Sequence, residues 1–150
     1  MVVVVQVRGE GRDGLLVAAE GTIFQVTEVP RGVDAVGFWT LLADRVGSAF
    51  ADDVCVTGRR WYAEEPAGKG LLTRLAPPGQ HVGVAEELAE MVLANPPLAV
   101  RNVVRARRAR LAALELESEH QADRTLVLSE DFREAVKAHL EKRPATFKGR

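Results

Sequence analysis

The sequence is poor in cysteine and carries almost no net charge. Cys55 is the only cysteine among 150 residues, so an internal disulfide is excluded and a reducing, cytoplasmic compartment is expected. The 20 Lys and Arg residues nearly balance the 21 Asp and Glu residues, which leaves a net charge of −1. Because a domain that binds nucleic acid through its phosphates usually has a clear basic excess, we expect no nucleic-acid partner.

Long hydrophobic runs are also missing. The apolar opening, Met1 to Val7, has no basic leader and meets Arg8 at once. It is too short for a membrane span and does not have the pattern of a signal peptide, so a buried strand is the better interpretation and no membrane partner is expected. His81 and His120 have no partners at metal-ligand spacing, so we predict no metal site and place both histidines at the surface.

What the chain does have is the composition of a globular protein. Hydrophobic residues make up 47% and charged residues 27% of the sequence, and the length suits one ordinary domain. We therefore predict a single domain over residues 1–150, with a strand-rich core segment at 1–34 and a mainly helical region at 35–150. No internal repeat or low-complexity linker interrupts it.

Hydrophobic spacing gives the expected elements. Short apolar runs at 2–7, 15–19 and 22–26 predict strands, and a fourth short strand is predicted at 71–75. Helices are predicted from 36 to Gly47, from 49 to Gly58, at 63–69, at 84–94 and at 98–120. Cys55 falls inside the second of these helices and is expected to be a small core residue.

The last 22 residues, 129–150, predict one capped helix, a proline stop and a basic tail. Ser129 can cap the helix. Acidic residues fill its first turns, where their negative charges interact favourably with the helix dipole. Basic residues close the helix before Pro144. The acidic residues are Glu130, Asp131 and Glu134, and the basic ones are Lys142 and Arg143.

This ending resembles the C-terminus of the crotonase superfamily, the enoyl-CoA hydratase/isomerase family, whose chains typically end in a Ser-Glu-Asp…Glu-Lys-Arg-x-Pro-x-Phe-Lys-Gly pattern. Further segments resemble the family in the same order along the chain. They are Ala18-Ala-Glu-Gly-Thr-Ile-Phe24, Gln25-Val-Thr-Glu28, Thr57-Gly-Arg-Arg-Trp-Tyr-Ala-Glu-Glu65 and Ala94-Asn-Pro-Pro-Leu-Ala-Val100. The resemblance runs from about Ala18 to Arg150 and covers roughly the C-terminal half of such a protein.

The resemblance implies an α/β fold, a partial crotonase-like β-β-α spiral with a helical C-terminal region. It also implies homo-oligomers, as trimers or hexamers, and an acyl-CoA thioester as substrate. No separate cofactor is implied, since coenzyme A is part of that substrate.

Glu28 is the candidate acid/base. Chemistry on an enoyl thioester needs a carboxylate that moves a proton and two backbone N–H groups that hold the developing enolate oxygen. Glu28 lies between a predicted strand and the turn at Pro30, where the family usually has a Pro-Glu pair. The alternative is a solvated turn residue. Asp34 is expected to be a turn or cap residue.

Gly9, Gly11 and Gly14 form a G-x-G-x-x-G pattern after an apolar strand. A dinucleotide site would need a helix next, but a strand-length run follows Gly14, so that context is missing. A shortened oxyanion loop, in which amides near Gly11 and Gly14 hold the enolate, is the second interpretation. A plain glycine turn between two strands is the third.

Coenzyme A contacts are predicted near the C-terminus. Lys142 resembles the family's CoA-binding lysine, and His139 stands where the family often has a phenylalanine near the adenine. Five arginines between 101 and 110 could meet CoA phosphates, although such a run is typically the solvated face of a helix.

Two functions follow from the resemblance. The first is an enoyl-CoA hydratase/isomerase-like protein that acts through Glu28 and an oxyanion hole. The second is a non-catalytic module that binds CoA or drives oligomerisation. Both predict exposed apolar surface on the isolated chain.

Overall fold

The structure is a computed structural model, and it describes residues 2–5, 14–65 and 70–150. Helices make up most of these residues, as expected. The strands are β1 (Val2–Val5), β2 (Leu15–Ala19), β3 (Ile23–Gln25), β4 (Arg60–Tyr62) and β5 (Arg74–Ala76). The helices are α1 (Val36–Val46), α2 (Ser48–Thr57), α3 (His81–Leu93), α4 (Pro97–Gln121) and α5 (Glu130–Glu141). Two 3-10 turns lie at Val29–Arg31 and Arg124–Leu128.

The chain forms two compact units, each built from two separate segments. The first unit is Met1–Phe24 with Trp61–Leu114, and the second is Gln25–Arg60 with Glu115–Arg150. The expected strand-rich segment at 1–34 and the helical segment at 35–150 therefore each contribute to both units.

A three-stranded sheet, in the order β1-β2-β5, organises the first unit. β2 pairs antiparallel with β1 and parallel with β5, so it lies in the centre. Successive residues of a strand face opposite sides of the sheet. Accordingly Val17 packs with Ala85 and Leu88 of α3, whereas Ala18 packs with Ala63 and Leu72. This two-sided burial explains why Leu15–Ala19 is apolar throughout.

The helix predicted at 63–69 is wrong at its described start. Residues 60–62 form β4, and 63–65 form a turn, while 66–69 lie outside the described residues. The cause is tertiary: the ring of Trp61 stacks on Phe24 with centroids 4.5 Å apart, and the Ala63 amide donates to the Thr22 carbonyl at 3.0 Å. The strand predicted at 71–75 begins only at Arg74, because residues 70 and 71 are helical.

His81 also departs from the prediction. It is only 5% exposed and not at the surface, and it is the first residue of α3. Ala85 and Leu88 follow it by one and two helical turns and belong to the core, so His81 shares their face. Among the described residues, neither ring nitrogen of His81 has a hydrogen-bond partner. His120 is exposed, as predicted.

In the second unit, α1 and α2 pack against each other as a helical hairpin around Gly47. Asp34 lies two residues before α1, whose N-cap is Ala35, and its Oδ1 accepts from the Val36 amide at 2.6 Å. Of the two roles expected for Asp34, the structure therefore supports the turn residue and not the helix cap. α2 ends at Gly58, which adopts the left-handed conformation that favours glycine, at φ 63°. Cys55 is buried on α2, which confirms its expected place in the core.

α5 begins and ends where the sequence predicts. Ser129 Oγ accepts from the Phe132 amide at 3.0 Å, and Glu130 and Asp131 lie in the first turn. The helix ends at Lys142, before Pro144. Within the described residues, no helix is both long enough and apolar enough to cross a bilayer.

Candidate active site

Glu28 lies at the start of the first 3-10 turn, in the second unit. Its carbonyl oxygen accepts from the amides of Arg31 at 2.9 Å and Val33 at 3.0 Å, which fixes the backbone of the turn. The side chain is half-buried and makes no hydrogen bond to another described residue. The carboxylate is therefore placed by its backbone and left with its acceptor sites open, as a group that exchanges protons with a substrate needs.

Two glycines frame this turn. Gly58 packs against the ring of Pro30 and leaves no space for a side chain, and this contact joins the turn to the end of α2. Gly32 ends the turn at φ 74°, and a Cβ there would lie 3.0 Å from the Phe132 Cα of α5. The turn that carries Glu28 is thus packed closely on both helices.

The charge of Glu28 influences the pKa of the Cys55 thiol. Burial, and then the negative charges of Glu28 and Asp52, raise the pKa of the Cys55 thiol above its ordinary value. Asp52 also accepts a hydrogen bond from Trp39 Nε1 at 2.7 Å. The face of α2 near Glu28 is accordingly acidic, and the Cys55 thiol on this helix is neutral.

Gly14, one of the two predicted oxyanion glycines, belongs to the first unit. Gly14 is a buried residue directly before β2, and Gly11 lies outside the described residues. Leu15–Ala19 after Gly14 is a strand and not a helix, so the context for a dinucleotide fingerprint is missing in the structure as well. The role of Gly11 and Gly14 as amide donors stays a prediction.

Lys142 ends α5 in an unusual conformation. Its φ of 53° makes it the single non-glycine residue with positive φ in the described part of the chain. The Lys142 amide donates to His139 O at 3.3 Å and the Arg143 amide to Ala138 O at 3.0 Å, the pattern of a Schellman motif. Glycine usually fills this position, because a side chain in the left-handed region is strained.

The predicted CoA-binding residues, His139 and Lys142, are both exposed and share the end of α5. Gly32 of the Glu28 turn lies instead at Phe132, near the start of that helix, which is about 15 Å from Lys142 at the helical rise per residue. The structure therefore brings His139 and Lys142 together and separates them from the turn of Glu28.

The basic tail folds back along α5 instead of extending away. Glu134 takes a forked pair of hydrogen bonds from Arg143, the second at 2.9 Å, and also accepts from the Thr146 amide at 3.0 Å. Asp131 accepts from the amides of Lys148 at 2.7 Å and Gly149 at 2.8 Å. These bonds occupy Arg143, whereas the Lys142 ammonium has no ion-pair partner among the described residues.

A cavity of about 510 Å³ opens in the same unit as Glu28. Its walls come from the start of α1, the end of α4 and the second 3-10 turn. Sequence reasoning missed this cavity, because its lining residues come from segments some 80 residues apart in the chain. Asp34 was the one lining residue that the sequence singled out, as a turn or cap residue.

Comparison with known proteins identifies the family of this chain. A family model described as enoyl-CoA hydratase/isomerase matches residues 13–150. The chain belongs to the enoyl-CoA hydratase/isomerase family, which confirms the resemblance and the partial crotonase-like fold.

Individual relatives agree with the family. Enoyl-CoA hydratase EchA19 of Mycobacterium tuberculosis is 33% identical over 149 residues, covering 94% of this chain and 54% of its own length. The 2,3-dehydroadipyl-CoA hydratase of Escherichia coli is 29% identical over 140 residues, covering 91% of this chain and 55% of its own. The chain thus spans about half the length of these relatives.

A solved structure shows the same correspondence. The carnitinyl-CoA dehydratase from Mycobacterium avium superposes with a TM-score of 0.78 at 26% identity. The match covers 89% of this chain and 55% of that one.

Proposed function

We propose that this chain carries the acid/base part of an enzyme that adds water to an enoyl-CoA thioester or moves its double bond. The observation that carries the proposal is Glu28, a half-buried carboxylate that is fixed by its turn and has no hydrogen bond to another described residue. Family membership supplies the substrate class, an acyl-CoA thioester.

In hydration, Glu28 accepts a proton from water as the water oxygen bonds to the β-carbon. The electron pair of the double bond moves towards the thioester carbonyl and forms an enolate. The protonated Glu28 then gives its proton to the α-carbon, which completes the addition of water and regenerates the carboxylate. Two backbone amides stabilise the enolate oxygen, and such donors are often the largest contribution to the rate. Gly14 and Gly11 remain the candidate donors for this role.

Lys142 is proposed to hold a phosphate of coenzyme A, with His139 beside the adenine. Two observations support Lys142: its ammonium has no described ion-pair partner, and its backbone is held in a conformation that lysine disfavours. Residues held in such strained conformations cluster at ligand sites. An exposed cation on a rigid helix end is suited to an anionic group.

The test is hydration of a short enoyl-CoA, followed by loss of its conjugated-thioester absorbance. We expect turnover in the parent chain and a loss of at least about a hundredfold in Glu28→Gln, the lower range for a general acid/base. Glu86→Gln on the exposed face of α3 is the matched control and should keep full activity. Equal rates for Glu28→Gln and the parent would contradict the assignment of Glu28.

A second candidate is a non-catalytic module that binds CoA or drives assembly. Large apolar side chains on three helices favour it, since Leu93, Leu98 and Leu140 are 80%, 77% and 76% exposed. Folded protein that binds CoA and self-associates in sedimentation equilibrium, but has no turnover, would support this function over the first. A stable monomer would contradict the assembly part of it.

A further inference from the structure

The tail, residues 143–150, runs back along α5 to the first turn of that helix. The Asp131 carboxylate accepts hydrogen bonds from two tail amides, Lys148 at 2.7 Å on Oδ1 and Gly149 at 2.8 Å on Oδ2. In the opposite direction, the Asp131 amide donates to the carbonyl oxygen of Arg150 at 3.3 Å. Asp131 therefore binds the tail through both its side chain and its backbone.

These bonds act on a part of the helix that is otherwise weakly held. The amides in the first turn of an α-helix have no acceptor within the helix, so they need partners from elsewhere. Ser129 Oγ accepts from the Phe132 amide at 3.0 Å. Arg150 O accepts from the Glu130 amide at 2.9 Å as well as from that of Asp131. The tail thus supplies the acceptor for two amides that α5 itself leaves unpaired.

The turn that carries Glu28 packs on this same first turn. A Cβ at Gly32 would lie 3.0 Å from Phe132 Cα and 3.6 Å from the Asp131 carbonyl carbon, so the Gly32 backbone lies directly on the peptide between them. Gly32 is tied to Glu28 within the turn, because the amides on either side of it both donate to the Glu28 carbonyl, at 2.9 and 3.0 Å. A displacement of the first turn of α5 is therefore expected to move Glu28 with it.

We propose that Asp131 is a positioning residue for Glu28: by holding the tail on the first turn of α5, it fixes the surface on which the Glu28 turn packs. The inference rests on the proposed function, in which the Glu28 carboxylate must meet water and the thioester in a fixed geometry. Asp131 takes no part in the chemistry and acts through the backbone of Gly32. A carboxylate suits this role, because its charge-assisted hydrogen bonds are stronger than neutral ones.

Glu130 provides a matched control in the same turn. It carries the same charge at the start of α5, so its interaction with the helix dipole is comparable. It also pairs with the tail, but through the exposed side chains of Lys148 at 3.7 Å and Arg150 at 3.3 Å. Exposed ion pairs of this kind contribute little. Loss of the Glu130 charge should therefore leave Glu28 in place, whereas loss of the Asp131 carboxylate should not.

Steady-state hydration of a short enoyl-CoA is the first measurement. Asp131→Ala should lower kcat at least about tenfold, since small displacements of a catalytic group are costly. KM should stay within about twofold, because the proposed CoA residues Lys142 and His139 lie at the other end of α5. Asp131→Asn keeps one oxygen that can accept a tail amide and should lose less. Glu130→Gln should keep the kcat of the parent. Urea unfolding checks that each variant is folded in the assay.

Alkylation of Cys55 is the second measurement, and it needs no turnover. The thiolate is the reactive form, and burial and then the charge of Glu28 raise the pKa of the Cys55 thiol. Asp131→Ala should shift the midpoint of the pH–rate curve for labelling to lower pH, the direction expected of Glu28→Gln. In the Glu28→Gln background it should cause no further shift, whereas a change in the burial of Cys55 would shift the midpoint in both backgrounds.

The two measurements separate this inference from the proposed function. Equal kcat for Asp131→Ala and the parent, or equal losses in Asp131→Ala and Glu130→Gln, would overturn the inference. So would a labelling midpoint that Asp131→Ala leaves unchanged or shifts as far in the Glu28→Gln background. If the parent has no turnover, the proposed function fails, and a midpoint shift confined to the parent background would still show that Asp131 positions the Glu28 carboxylate.

Discussion

The backbone of Gly58 packs directly against the ring of Pro30, so the end of α2 contacts the turn that carries Glu28. Gly58 also adopts a φ of 63°, which an L side chain rarely does. Closeness and backbone conformation therefore both require glycine at this position. The position of Glu28 depends on a residue in another element, 30 positions further along the chain.

Gly58→Ala should consequently impair both stability and activity. The left-handed conformation costs alanine about 1–2 kcal/mol, and displacement of Pro30 adds roughly 1–3 kcal/mol. Gly21→Ala is the matched control, because Gly21 has a φ of 75° with no atom within 4 Å of its added Cβ. Urea unfolding and enoyl-CoA hydration should show a larger loss of both properties for Gly58→Ala. Equal losses of stability in the two variants would argue against the Pro30 contact.

Replacement of Lys142 by glycine should increase the stability of the fold and weaken CoA binding. Lys142→Gly should raise the free energy of unfolding by about 1 kcal/mol, since glycine adopts the left-handed end of α5 without strain. The same change should weaken CoA binding, because the cation is removed. Lys142→Ala removes the charge and retains the strain, so it should weaken CoA binding with little change in stability. Calorimetric CoA titration and urea unfolding measure both, and unchanged CoA affinity in both variants would remove Lys142 from the site.

Sequence reasoning succeeded where local interactions determine the structure and failed where residues far apart in the chain determine it. α5 was predicted to its ends because its determinants are local: Ser129 caps the helix and acids fill its first turn. β4 was missed because the stacking of Trp61 on Phe24 decides it, and those residues are far apart in sequence. His81 was placed wrongly because its burial depends on the face that α3 turns to the core. The cavity in the unit of Glu28 could not be predicted either, because its lining residues lie far apart in the chain.

Glu134 predicts a stability change at acidic pH. The forked hydrogen bonds from Arg143, and then the Thr146 amide, lower the pKa of Glu134 from 4.5 to about 2. A group whose pKa is lower in the folded state stabilises the fold above its unfolded pKa. This stabilisation is therefore complete above about pH 4.5 and is lost as the pH falls towards 2.

Glu134→Gln should accordingly be less stable than the parent at pH 7, and the difference should shrink between pH 4.5 and pH 2. Thermal unfolding at several pH values measures it. Glu86→Gln, on the exposed face of α3, serves as the control for a general loss of negative charge. A difference that stays constant down to pH 2 would show that the carboxylate charge of Glu134 does not stabilise the fold.

The interaction of Glu28 with Cys55 gives a test of Glu28 that is independent of catalysis. The negative charge of Glu28 raises the pKa of the buried Cys55 thiol. Because the thiolate is the reactive form, Glu28→Gln should lower that pKa and speed the labelling of Cys55 by a small alkylating reagent at neutral pH. Asp52→Asn should have the same direction with a smaller effect, since Asp52 is the lesser of the two charges acting on the thiol.

Increased exposure of Cys55 could mimic this result, so labelling is measured as a function of pH. Loss of the Glu28 charge shifts the midpoint of the pH–rate curve and leaves the limiting rate at high pH unchanged. Greater exposure also raises that limiting rate, and because burial itself raises the thiol pKa, both the midpoint and the limiting rate are compared. Glu86→Gln should leave the curve unchanged. A midpoint that Glu28→Gln does not move would place the Glu28 carboxylate away from Cys55 and α2, and would remove the structural basis for treating it as a fixed acid/base.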